Sequence, residues 1–142
     1  MATETRTILV AGPDPDLLDI VAHRLRMLGF RVRQAHSLYE ALACVERQAV
    51  ELAIVDLELP AVGGRSLIAR LVDSPYTVRV LVLVDPHNPT SYERAVEEGA
   101  FRCLPRSRCH RELDHLLEES FEPHATPSLD SSLDRRTARS TS

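Results

Sequence analysis

The sequence predicts a doubly wound α/β fold, a parallel sheet of five strands with five helices covering both of its faces. Three observations predict it. Short apolar runs alternate with stretches of helical periodicity from Thr7 to Phe121. Most of the runs are continuously apolar rather than alternating, as in strands buried on both faces. Turn residues close them. Strands that alternate with helices require crossover connections, and these are right-handed.

The first run is Thr7-Ile8-Leu9-Val10-Ala11, closed by Gly12-Pro13. Asp14-Pro15-Asp16 then reads as a helix start: a capping acid, a proline in the first turn and a second acid. Leu17, Leu18, Val21, Leu25 and Leu28 recur at helical spacing, and Gly29 takes the position after the helix end. The second strand is Arg31-Val32-Arg33-Gln34-Ala35. Ser37 with Glu40 has the spacing of a capping box, and Leu38, Ala41, Leu42 and Val45 form the buried stripe of the helix that follows.

The third strand, Leu52 to Val55, runs straight into Asp56. After a loop with Pro60 and Gly63-Gly64, a helix uses Leu67, Ile68, Leu71 and Val72 and ends at Ser74-Pro75. The fourth strand, Val78 to Val84, is almost wholly apolar and is placed centrally. Asp85 to Pro89 is a turn cluster. A helix carrying Tyr92, Ala95 and Val96 stops at Gly99, a weak fifth strand covers about Phe101 to Leu104, and a last helix uses Leu113, Leu116, Leu117 and Phe121. Five such units give a flavodoxin-like sheet of order 2-1-3-4-5, which binds ligands at the C-terminal strand ends.

A chain of 142 residues has room for one ordinary domain. Residues 1–6 read as an N-terminal extension and 7–121 as the domain. The segment 122–142, rich in Ser, Thr, Pro and Arg, reads as a disordered tail that buries too little apolar surface to offset its ordering entropy. The net charge of −4 gives no basic footprint for nucleic acid. No apolar run approaches a bilayer span, and the N-terminus lacks the charged-then-apolar pattern of a signal peptide. Three scattered cysteines without a C-x-x-C pair fit reduced thiols, so a cytoplasmic location is expected. All 17 basic residues are arginine; the chain has no lysine ammonium to offer any chemistry.

Residues 7 to about 120 resemble a bacterial response-regulator receiver domain. The resemblance is carried by Asp56-Leu57-Glu58-Leu59-Pro60 with Gly64, which is similar to the family's phosphoacceptor loop: an Asp ending the third strand, a Pro four residues on and a Gly eight residues on. Ile8-Leu9-Val10 leading to Asp14-Pro15, and Glu97-Glu98-Gly99-Ala100 before the fifth strand, support it.

The resemblance implies phosphoryl transfer from a histidine kinase to Asp56. That reaction needs a carboxylate nucleophile, a Mg²⁺ ion in an oxygen octahedron and a fixed cation on the transferring oxygens. The family supplies them with an acidic pair after strand one, the acceptor Asp, a hydroxyl after strand four and a lysine after strand five. Here the acidic-pair positions are Gly12 and Pro13, the hydroxyl position is Val84, the lysine position is Arg106 and the switch aromatic is Cys103. Asp14 stands one place late and reads as a helix cap. Loss of one transition-state donor costs ~10²–10³ in rate. The expected protein is therefore a stand-alone pseudo-receiver that is not an enzyme and signals by binding.

No dedicated metal site is expected, and at most a weak magnesium site at Asp56; Mg²⁺ is a cofactor only if phosphorylation survives. Asp56 and Arg106 are expected to form a standing ion pair, or Asp56 is a plain strand-end residue. Asp85 reads as a turn residue before Pro86, and Cys103 and Cys109 as structural thiols. His110 and His115 do not share a helix face, and Gly63-Gly64 has no phosphate-loop pattern around it. The segment 135–140 attracts a basophilic kinase or, more plainly, solubilises a tail. Partners implied by the resemblance are a histidine kinase or an output protein, met on the face of the fourth helix, fifth strand and fifth helix, with Tyr92, Cys103 and arginines 94, 102, 106 and 108. Direct nucleic-acid or membrane binding is not expected, and the oligomeric state is left open, a dimer included. The alternatives are a conventional acceptor phosphorylated on Asp56 with help from its kinase and, in a different class, a flavodoxin-like enzyme or nucleotide-binding module.

Overall fold

A computed structural model of the chain describes residues 6–62, 66–76, 78–108, 112–115 and 117. Gly63, Gly64, Cys109, His110, Leu116, Phe121 and the segment 122–142 lie outside the described residues. The chain divides into two compact units, Met1–Arg111 and Glu112–Ser142. The first holds the sheet. In the second, residues 112–115 and 117 are helical, where the fifth helix was expected.

Five parallel strands form one sheet of order β2-β1-β3-β4-β5. They are β1 (Thr7–Ala11), β2 (Arg31–Ala35), β3 (Leu52–Asp56), β4 (Arg79–Val84) and β5 (Arg102–Pro105). Between them run α1 (Pro15–Met27), α2 (Leu38–Arg47), α3 (Leu67–Val72) and α4 (Pro89–Glu97), and one 3₁₀ turn, Arg106–Arg108, follows β5. β1 and β3 are buried along their whole length, and β4 at all but its first residue. β2 has one strand neighbour and carries exposed Arg31 and Arg33, charges that discourage edge-to-edge pairing.

The side-chain period of two splits the core between the faces. Leu9, Ala53, Val55, Val80, Val82 and Val84 share one cluster with residues of α2, α3 and α4. Ile8, Val10, Leu52, Ile54, Leu81 and Leu83 alternate with them and are equally buried. The buried stripe of α1, Leu18, Val21, Ala22 and Leu25, lies outside that cluster.

The helix ends follow their capping residues. Asp14 Oδ1 accepts the amides of Asp16 (3.0 Å) and Leu17 (3.5 Å). Ser37 Oγ accepts the Glu40 amide at 3.1 Å, while Glu40 Oε1 accepts the amide of His36, one residue before the position a capping box predicts. Gly29 and Gly99 close α1 and α4 with φ of 99° and 101°, a left-handed conformation that costs glycine nothing. Not every apolar residue at helical spacing faces inward. Val72, Tyr92 and Val96 are exposed, Val96 at 66%.

Candidate functional site

The site lies at the C-terminal ends of β3, β4 and β5, where a doubly wound sheet places its ligand chemistry. Asp56 is the last residue of β3 and is 3% exposed. Its backbone oxygen accepts the Leu59 amide at 3.0 Å and its Oδ1 accepts the Glu58 amide at 2.9 Å, an Asx turn that fixes the carboxylate against its own loop.

Arg106 begins the 3₁₀ turn after Pro105. Its Nε donates to Asp56 Oδ2 and its Nη2 to Asp56 Oδ1, each at 2.9 Å. This is a two-point fork of the kind only a planar guanidinium makes. β4 stands between β3 and β5, so the pair reaches over the end of that strand. The hydrogen bond to Asp56 is the main cause that raises the Arg106 pKa above its ordinary value. Partial burial opposes it, and the charges of Asp56, Glu58 and Asp85 add to it. The guanidinium therefore stays charged at every ordinary pH.

The other expected site residues are dispersed. Val84 is fully buried and gives its side chain to the core. Gly12 is buried beside Asp56, whereas Pro13 and Asp14 are exposed, with Asp14 engaged in its cap. Asp85 is half-buried and accepts the His87 amide at 2.9 Å, as a turn residue does. Cys103 is half-buried in β5, and burial pushes its thiol up to about 11 while the Arg102 charge pulls it down. The resemblance already places Gly12, at an acidic-pair position, in one site with Asp56; how closely the two approach is set by the pairing of β1 with β3.

A magnesium ion needs several oxygen ligands in a near-octahedral cage. Here Asp56 is the buried carboxylate of the site, and both of its oxygens already accept hydrogen bonds, while Glu58 and Asp85 lie near enough to act on Arg106 by charge. Gly12 and Pro13 have no side-chain oxygen, and Asp14 and Asp85 are turned to backbone amides. These residues do not fit the ion. Among the described residues no three His, Cys, Asp or Glu side chains converge on a metal position, and no helix is long and apolar enough to cross a membrane.

The sequence matches the response regulator receiver domain over residues 8–118. The chain belongs to this family. Among relatives of this receiver domain, an uncharacterised 14.6 kDa protein of Leptolyngbya boryana is 35% identical over 123 residues, covering 83% of this chain and 94% of that one. The DNA-binding transcriptional regulator NtrC of Azospirillum brasilense is 27% identical over 121 residues, which is 85% of this chain and 25% of NtrC. The chain spans between a quarter and a third of the length of the regulatory proteins it resembles. Among solved structures, the signal receiver domain of an HD domain-containing protein from Pseudomonas fluorescens Pf-5 superposes with a TM-score of 0.76 at 23% identity, over 86% of this chain and 90% of that one. The five-stranded fold of order 2-1-3-4-5 is thus the receiver fold.

Proposed function

We propose that this receiver domain is a pseudo-receiver in two-component signalling, acting through protein contacts with little or no phosphorylation of its own. The two-point pair of Asp56 with Arg106 carries the reading. A nucleophile must present an oxygen lone pair to phosphorus, and here three of the carboxylate's roughly four acceptor positions are engaged, two of them by the guanidinium that attack would have to displace or share. Loss of the acidic pair at Gly12 and Pro13 leaves the incoming phosphoryl charge without a metal to neutralise it. The standing pair instead holds the ends of β3 and β5 in one arrangement.

On this reading the protein is a cytoplasmic signalling module and not an enzyme. Its contact face includes α4 and β5, where Tyr92, Arg94, Val96 and Arg102 are exposed beside Arg108. Basic groups on that face suit an acidic partner surface, a kinase or an output protein.

Intact-mass measurement after incubation with Mg²⁺ and acetyl phosphate tests the proposal, with Asp56→Asn as control. The expected result is no phosphoryl gain. A stoichiometric gain in the wild-type protein that the control lacks would overturn it. A second reading, phosphorylation of Asp56 by a kinase that contributes groups in trans, draws on one observation: the Arg106 side chain is 28% exposed and has solvent into which to withdraw. Labelling of Asp56 that appears only with a kinase present would favour this reading over the first.

A further inference from the structure

We infer that Gly12 is a positioning residue for the Asp56–Arg106 pair, the point at which β1 leaves room for the carboxylate to meet the guanidinium. The inference rests on the pseudo-receiver reading and deepens it, by naming what keeps Asp56 committed to arginine.

The last paired residues of β1 and β3 are Ala11 and Val55. One step further along, Gly12 and Asp56 lie side by side. A Cβ placed on Gly12 would stand 3.0 Å from Asp56 Cβ, 3.4 Å from Leu18 Cδ2 and 3.9 Å from Asp56 Cγ. Carbon atoms rest at about 3.5–4.0 Å, so the first of these contacts is too close to keep. It falls on the root of the Asp56 side chain and not on a flexible tip.

Neither partner yields easily. The Gly12 amide donates to Ala35 O at 3.1 Å, which holds Gly12 in the sheet, and Asp56 O is held by the Leu59 amide at 3.0 Å. Asp56 Cβ lies on the axis of side-chain rotation, so turning the side chain brings no relief; the strand backbone must give by a few tenths of an ångström, and a shift at the root of Asp56 carries both carboxylate oxygens with it. A two-point fork tolerates such a displacement poorly, because both of its 2.9 Å bonds depend on one plane. Leu18 of α1 meets the added carbon only with the tip of its side chain, at 3.4 Å, and so sets a lesser constraint.

The test is a double-mutant cycle. Gly12→Ala is compared in the wild-type and Arg106→Met backgrounds by denaturant unfolding, and the Arg106 Nε–H resonance is followed by NMR. The expected result is a clear drop in midpoint for Gly12→Ala alone, less than half that drop when Arg106→Met is already present, and faster exchange of the Nε–H in Gly12→Ala. An equal drop in both backgrounds, the signature of simple crowding against Leu18, would overturn the inference, as would an unchanged Nε–H. Should Gly12→Ala alone fail to fold, folding of the Gly12→Ala/Arg106→Met protein supports the inference and its failure overturns it. Phosphoryl labelling of wild-type Asp56 by acetyl phosphate is a separate outcome: it removes the pseudo-receiver reading, whereas zero coupling in the cycle removes only the role of Gly12.

Discussion

Asp56 and Arg106, fifty residues apart in the chain, meet through two hydrogen bonds of 2.9 Å each, with the carboxylate almost fully buried and the guanidinium 28% exposed. The pair is unequal, and the inequality has consequences. Arg106→Ala leaves a buried carboxylate with the Glu58 amide as its remaining described hydrogen bond. Stranding a buried charge in this way costs about 2–4 kcal/mol, the lower part of the range for such pairs because Arg106 is partly solvated. Asp56→Asn leaves a cation that water reaches, and costs about 1–2 kcal/mol. Arg106→Lys keeps the charge without the fork and falls between. Urea unfolding of the three variants checks the order. Equal losses for Arg106→Ala and Asp56→Asn would show that burial of the carboxylate does not govern the pair.

Asp14 stands in sequence where a metal-binding acid invites a role, but its oxygen serves the amides of Asp16 and Leu17. Asp14→Ala is expected to destabilise the protein by ~1 kcal/mol through loss of the cap, and Asp14→Asn, which still accepts those amides, by only a few tenths. Neither changes the Arg106 resonance. A loss in Asp14→Asn as large as that in Asp14→Ala would mean that the charge, and not the cap, is what Asp14 contributes.

The strands were legible because three of them are buried throughout nearly their whole length, and a run such as Leu52 to Val55 admits little else than a strand between turn residues. The first helix was legible from Asp14-Pro15-Asp16 and Gly29, whose local chemistry acts whatever the rest of the chain does. Periodicity alone misled at Val72 and Val96, which repeat at helical spacing yet face solvent, because spacing identifies a stripe without saying how wide the covering layer is. The Asp56–Arg106 contact was foreseeable once the strand order was known, since Asp56 ends β3 and Arg106 directly follows β5 at the same edge of the sheet. That Gly12 shares a site with Asp56 was implied by the resemblance, but the 3.0 Å approach of a Cβ at Gly12 was not. It depends on the register of β1 against β3, which one position of slip would abolish. The stacking of Arg79 on the Phe101 ring, at 4.7 Å, depends likewise on the pairing of β4 with β5, whereas Arg102, at 4.8 Å from the same ring, is its neighbour in the chain.

Cys103 gives a prediction in pH. Its thiol is pushed from an ordinary 9.0 to about 11, by burial first and against the pull of Arg102. The folded chain then holds this proton more tightly than the unfolded chain does. Stability from this group is complete below pH 9.0 and is lost as the pH climbs to about 11, because in that interval the unfolded thiol has released its proton and the folded one has not. The stability difference between wild type and Cys103→Ala is expected to be flat below that interval and to shrink within it. The same shift lowers the thiolate fraction ~100-fold at any pH below both values, so alkylation of Cys103 in the folded protein should be slower than in the unfolded chain by a similar factor, since the thiolate is the reacting form. Peptide mapping after timed iodoacetamide treatment, with and without denaturant, reads that ratio. Equal rates in the two states would mean that water reaches the thiol freely and that β5 does not shelter it.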